Sequence, residues 1–101
     1  MITVRDYPVK QRVLNFTQCK YLSEVHRTIQ QELELPEWYG RNLDALWDSL
    51  TGIMYLPAEI TIIYSFNYSD KALADEIDKM IDIFKEAAEE YPEIVVHVQA
   101  G

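Results

Sequence analysis

The stretch that decides the fold is ITIIYSFNYSDKALADEIDKMIDIFKEAAEEYPEIVVHV, residues 60–98. Its first part, ITIIYSF (60–66), is an almost uninterrupted run of apolar and β-branched residues, a pattern typical of a strand covered on both faces. A long helix is predicted from about Ser69 or Asp70 to Tyr91, because its apolar residues form one stripe and a proline follows it. IVVHV (94–98) is predicted to form the next strand. A strand, a helix and a strand in this order predict a right-handed crossover between parallel strands.

The residues upstream add one strand and two helices to this unit. RVLNF (12–16) is predicted to form a short strand. Ser23 is the expected N-cap of a helix over 24–33, and Asn42 is the expected N-cap of a second helix over 43–51. The whole pattern predicts an α/β fold: a small three-stranded parallel sheet packed with helices, in the order β-α-α-β-α-β.

Length and composition fit one globular domain. The chain has 101 residues, 49% of them hydrophobic, which is enough for one core and too apolar for a disordered chain. No apolar run approaches the ~18 residues that span a bilayer. Arg5 and Asp6 interrupt the segment where a signal peptide needs its apolar region, so we expect a cytoplasmic protein. The lone Cys19 permits no internal disulfide, and no motif indicates a metal or a cofactor.

The charge is unevenly distributed along the chain. The net charge is −8, yet residues 1–31 contain five Lys or Arg against two acids. Residues 32–68 contain one Lys or Arg against six acids, and residues 69–91 contain three against eight. Because phosphate recognition needs basic patches, this distribution argues against nucleic-acid binding through residues 32–101. It is compatible with a basic protein partner or simply with solubility.

The second predicted helix carries two carboxylates one turn apart. On a helical wheel of about 100° per residue, its leucines and Trp47 form the core face, whereas Asp44 and Asp48 share the flank beside Trp47. Like charges at this spacing cost a helix a few tenths of a kcal/mol. The macrodipole accounts for Asp44 in the first turn but not for Asp48. Geometry alone leaves three alternatives for the two carboxylates. They are solvated surface charge, a metal site that lacks further ligands, or an acid–base pair that lacks the burial needed to raise one pKa.

The long helix has one apolar residue outside its stripe. Ile83 lies roughly 120° from the centre of the stripe, so it is expected to face water beside Glu86. Single exposed apolar residues are common, although an apolar side chain next to a carboxylate also suits the rim of an interface. His26 and His97 are assigned no ligand role, since packing or a local hydrogen bond is the ordinary use of such residues.

Residues 26–52 closely resemble the barstar family, whose members are intracellular inhibitors of a secreted bacterial ribonuclease. Three motifs carry the likeness: LPEWYG (35–40), NLDALWD (42–48) and LTG (50–52). The likeness continues through FKEA (84–87) and the last strand, so it covers roughly residues 12–99. It implies a single domain over residues 12–101, preceded by an N-terminal extension, residues 1–11, that forms an arm or an edge strand.

The resemblance implies that the second helix and the loop before it bind in the active site of a ribonuclease. Asp48 would be the central anchor, Asp44 would support it, and Trp38 would cover a catalytic histidine. Gly40 would let the loop approach closely, and Trp47 would pack along the rim. Ile83 and Glu86 would add a contact from the long helix. The implied partner is a basic ribonuclease of the extracellular type, bound one to one, and the protein itself would not be an enzyme.

Three residues depart from the family pattern. Ser49 stands where a cysteine often occurs, which changes little, and the other two bear on the identity of the target. Ile53 stands where an aromatic residue is found in the best-known member, and Arg41 places a positive charge within the acidic surface. Two other functions are kept as alternatives to the inhibitor. One is an interaction module of the same fold that binds a different basic partner. The other is a small enzyme that uses the paired carboxylates, for which no nucleophile motif or phosphate loop is found.

Overall fold

The computed structural model of the chain describes residues 9–54 and 56–101. Its elements are β1 (Lys10–Asn15), α1 (Leu22–Glu32), α2 (Leu43–Gly52), β2 (Ala58–Tyr64), α3 (Lys71–Glu90) and β3 (Ile94–Ala100). The predicted fold class and element order are therefore confirmed. Residues 1–8 of the predicted N-terminal extension lie outside the described residues. The domain boundary at residue 12 stays a prediction. No helix within the described ranges is long and apolar enough to cross a membrane.

The three strands form one parallel sheet in the order β1-β2-β3. Ile62 in the central strand lies opposite Leu14 of β1 and Val98 of β3. Two right-handed crossovers that advance in the same direction place their helices on the same face of a sheet. Side chains on that face, such as Ile60 and Ile62, are completely buried, and the large core side chains Phe16 and Phe84 are buried with them.

The opposite face of the sheet is open, which corrects the prediction for the central strand. Burial alternates along β2, so this strand is fully covered on one face only. Val13 and Val95, which flank β2 on the open face, are 50% and 44% exposed. The strand also begins and ends earlier than predicted, because β2 starts at Ala58 and stops at Tyr64, and Phe66 beyond it is 78% exposed.

The start of α1 corrects a second prediction. Ser23 is not the N-cap, because the helix begins at Leu22 and Ser23 lies within its first turn. The carboxylate of Glu24 instead accepts hydrogen bonds from the backbone N–H groups of Lys20 and Tyr21, at 2.9 and 3.0 Å. An acid three residues into a helix can satisfy the free donors at its start in this way.

Side-chain caps fix the starts of α2 and α3. The predicted N-cap Asn42 is confirmed: its side-chain oxygen accepts a hydrogen bond from the N–H of Ala45 at 2.7 Å. Asp70 caps α3 by accepting from the N–H groups of Ala72 and Leu73. α3 packs against both α2 and β3, so α2 is supported by the longest helix of the domain.

Candidate functional site

The candidate site consists of the α1–α2 loop (residues 33–42), α2 and the second half of α3. The loop is anchored at its start by two buried leucines, Leu33 and Leu35. The N–H of Leu35 donates to the carbonyl of Gln30 at 2.9 Å, and the side chain of Gln30 donates to the carbonyl of Pro36 at 2.8 Å. These contacts tie the first half of the loop to the end of α1.

The two adjacent aromatic residues of the loop point in opposite directions. Trp38 is 72% exposed, whereas Tyr39 is 5% exposed and packs in the core. The hydroxyl of Tyr39 forms a hydrogen bond of 2.9 Å with Nδ1 of His26, a buried side chain of α1. Burial raises the pKa of Tyr39 to about 12, so its phenol stays protonated at neutral pH. Tyr39 therefore anchors the loop internally and leaves Trp38 available at the surface.

Gly40 is constrained by contacts within this chain. A Cβ atom at Gly40 would lie 3.1 Å from the Cβ of Ala45 and 3.6 Å from Nδ2 of Asn42. Since Ala45 belongs to the first turn of α2, the missing side chain lets the loop lie directly against that turn. Packing within this chain therefore explains the glycine at position 40. The sequence interpretation assigned Gly40 only to the approach of a partner and did not anticipate this contact.

The structure exposes both carboxylates of α2. Asp44 and Asp48 are exposed, while Leu46 and Leu50 are buried in the core. Neither carboxylate forms an ion pair with any residue of the described ranges. Trp47, on the same helix, is half-buried and packs against the core. No described residue neutralises the two charges by an ion pair, and the helix that carries them is fixed by the core.

The contribution from α3 differs from the sequence prediction at one residue. Ile83 was expected to face water, but it is half-buried and packs against the core. The helical wheel assigns one apolar stripe to α3. The helix packs against α2 as well as the sheet, so a wider arc of its surface is buried. Glu86 is exposed, as expected. Ile53, which departs from the family pattern, is 39% exposed at the end of α2.

The structure also has a surface cavity outside this region. This cavity, of about 380 Å³, lies near the ends of β1 and β2. Cys19 and Lys20 are among the residues that line it. Burial raises the pKa of the Cys19 thiol, which disfavours the thiolate that a nucleophile needs. No cluster of three or more potential metal ligands occurs in the part of the chain that the structure describes.

Sequence reasoning missed the contacts that hold the loop in place. His26 was recognised only as a packing or hydrogen-bonding residue, and its partner Tyr39 is 13 positions away. No pattern in the sequence indicates a role for Gln30. Its side chain donates to the carbonyl of Pro36 and accepts from the guanidinium of Arg41. The position of His26 next to the buried stripe of α1 was the available signal, but a single sequence does not reveal such a partner.

Comparisons with known proteins identify the family to which this chain is similar. Residues 9–100, which include the whole candidate site, match the family model described as "Barstar (barnase inhibitor)". The chain is also 39% identical over 66 residues to a protein of Bacillus subtilis (strain 168) named "Putative ribonuclease inhibitor YrdF". That match covers 65% of this chain and 71% of the Bacillus protein.

Proposed function

The chain belongs to the barstar family, and on that premise we propose that it inhibits a ribonuclease by inserting α2 and the α1–α2 loop into the nuclease active site. The protein acts as a binding partner and not as an enzyme. Its target is a basic ribonuclease of the extracellular type, bound one to one, and the inhibitor works in the cytoplasm. The family description and the name of the Bacillus relative support the inhibitor role.

The observation that carries the proposed mechanism is the pair of exposed carboxylates without internal partners among the described residues, Asp44 and Asp48. A ribonuclease active site holds fixed positive groups that bind the phosphate of RNA. The carboxylate of Asp48 replaces that phosphate and accepts charge-assisted hydrogen bonds from those groups. Asp44, one turn earlier, binds an adjacent cationic group. Because neither carboxylate forms an ion pair with a described residue, no such pair has to be broken on binding.

Rigidity of the site supports the same mechanism. The cap at Asn42 fixes the start of α2, and the Tyr39–His26 hydrogen bond fixes the loop before it. A surface that is already ordered loses less conformational entropy when it binds. The carboxylates are therefore presented in nearly the same arrangement in the free protein and in the complex.

Apolar and acidic residues around the carboxylates complete the proposed interface. Trp38 projects from the loop and covers the catalytic histidine of the nuclease, while Gly40 allows close approach of the two backbones. Trp47 lines the rim on α2, and α3 contributes Ile83 and Glu86. Exposed aromatic residues beside charged anchors are the usual composition of energetically important interface positions.

The wider acidic surface accelerates the encounter with a basic nuclease. Residues 32–68 contain six acids and a single basic residue, Arg41. Long-range attraction between opposite charges raises the association rate, and salt screens it. We therefore expect association to slow as ionic strength rises, with a smaller change in the dissociation rate.

The test measures inhibition of purified barnase, and of other small secreted bacterial ribonucleases, by the wild type and by Asp48→Ala. We expect the substitution to weaken inhibition by at least about 30-fold, since truncating a buried charged anchor costs about 2 kcal/mol or more. Asp78→Ala is the matched control, because Asp78 is exposed on α3 beside Tyr64 and Val98, on the β3 side of the domain. Asp78→Ala should leave inhibition unchanged.

Two results would contradict the proposal. Inhibition that stays within threefold after Asp48→Ala would refute the replacement of phosphate by this carboxylate. Wild-type protein that inhibits no ribonuclease but binds another cationic protein would instead favour an interaction module of the same fold.

A further inference from the structure

Arg41 is held in the middle of the proposed interface without an acidic partner among the described residues. Its guanidinium Nη2 donates to the side-chain oxygen of Gln30 at 3.2 Å, and Gln30 is in turn bonded to the loop carbonyl of Pro36. Within the described residues no carboxylate lies within ion-pair distance of Arg41. The guanidinium has five N–H donors, so a neutral amide leaves most of them available.

The backbone and the charge at Arg41 are both unfavourable for the free protein. Arg41 has φ 52°, a left-handed conformation that residues other than glycine adopt rarely. It also directly precedes Asn42, the N-cap of α2, and the positive end of the helix macrodipole disfavours a cation there. Glycine or asparagine would relieve the first problem, and any neutral residue would relieve the second. No ion pair within the described residues compensates for the arginine.

We propose that Arg41 determines target specificity by pairing with an acidic side chain at the rim of the nuclease active site. The proposal rests on the proposed function, because Arg41 lies between Gly40 and the acidic helix that enters the active site. The target thus has a mixed rim, with basic groups for Asp44 and Asp48 and one carboxylate for Arg41. Planar guanidinium groups bind carboxylates in two-bond geometry, and a misplaced like charge excludes other partners.

The experiment uses the ribonuclease that the wild-type chain inhibits most strongly among barnase and other purified small secreted bacterial ribonucleases. Inhibition constants are measured for wild type, Arg41→Gln and Arg41→Glu, and each acidic residue at the rim of that nuclease is replaced by alanine in turn. Lys71→Ala is the matched control for net charge, because Lys71 is exposed at the opposite end of α3 from Glu86. Thermal unfolding verifies that every variant is folded.

We expect Arg41→Gln to weaken inhibition about tenfold and Arg41→Glu about 100-fold or more, while Lys71→Ala changes it less than twofold. One alanine substitution in the nuclease should remove most of the effect of Arg41→Gln, which identifies the paired carboxylate. If Arg41→Gln leaves inhibition unchanged or strengthens it, or if no nuclease acid couples to Arg41, the specificity role is refuted while the inhibitor function stands. If the wild type inhibits no ribonuclease, both proposals fail.

Discussion

The hydroxyl of Tyr39 lies 2.9 Å from Nδ1 of His26, and this hydrogen bond joins the α1–α2 loop to α1. The two rings are also in contact, with their centroids 5.7 Å apart. Both side chains are almost completely buried, so neither polar group can turn to water if the other is lost. The stability of the fold and the position of the candidate interface therefore depend on the same pair.

Tyr39→Phe is expected to destabilise the protein by about 1–3 kcal/mol, because it leaves Nδ1 of the buried His26 without its partner. In a domain of this size that corresponds to a melting temperature lower by roughly 5 °C or more. Calorimetry or thermal unfolding followed by circular dichroism measures the change. Tyr64→Phe is the control, since the hydroxyl of Tyr64 makes no hydrogen bond to a described residue. Equal losses in the two variants would contradict the role of the pair.

Acidification should destabilise the protein through His26. Burial lowers the pKa of His26, and the nearby Arg41 lowers it further, whereas Glu76 opposes the shift. Below the ordinary histidine pKa of 6.5 the unfolded chain binds a proton more readily than the folded one, so the free energy of unfolding falls as pH falls. Urea unfolding between pH 7 and 5 measures this slope.

A variant without His26 provides the control for the pH experiment. His26→Gln should remove most of the slope between pH 7 and 5. The carboxyl of Glu34, whose pKa is lowered by its hydrogen bond to Arg12, contributes below the ordinary value of 4.5 and therefore outside this range. A slope that persists in His26→Gln would refute the assignment.

The fold was largely predictable because its signals are local. Apolar runs, one clean helical stripe and the prolines that follow helices indicated the order of the elements, and the short polar Asn42 before an apolar stripe predicted a cap. Ser23 failed as a cap because the acid next to it, Glu24, reaches the free N–H groups of the preceding residues. Which side chain satisfies these groups depends on the path of the chain out of β1, which local sequence does not specify.

The candidate site was less predictable because it depends on contacts between distant residues. The exposure of Asp44 and Asp48 followed from helical periodicity alone. The partial burial of Ile83 did not, since it depends on tertiary packing against the core. The opposite directions of Trp38 and Tyr39 likewise depend on a histidine 13 residues away in the sequence.

Two glycines offer a matched test of loop packing. Gly40→Ala would place a Cβ 3.1 Å from the Cβ of Ala45, whose N–H is held by the cap at Asn42, so we expect a destabilisation of about 1 kcal/mol. The loop must also shift, which should weaken ribonuclease inhibition several-fold. Gly52→Ala is the control: apart from its chain neighbours and the helix backbone, no atom of a described residue lies within 4 Å of the place its Cβ would take. The substitution at this last helical residue should be neutral or should stabilise the protein by about 0.5–1 kcal/mol. Unfolding and inhibition assays on both variants measure these effects, and a harmless Gly40→Ala would contradict the packing argument.

Asp48→Asn should change stability and binding in opposite directions. In the free protein Asp44 and Asp48 are like charges one turn apart without ion-pair partners among the described residues, so removing one charge should stabilise the fold by a few tenths of a kcal/mol. The amide cannot replace a phosphate, so inhibition of barnase or another sensitive ribonuclease should weaken by about tenfold or more. Urea unfolding at low and high salt measures the first effect, which salt should diminish, and inhibition assays measure the second. A less stable variant would show that this carboxylate serves the fold. A variant that inhibits as strongly as the wild type would show that the carboxylate does not bind the nuclease.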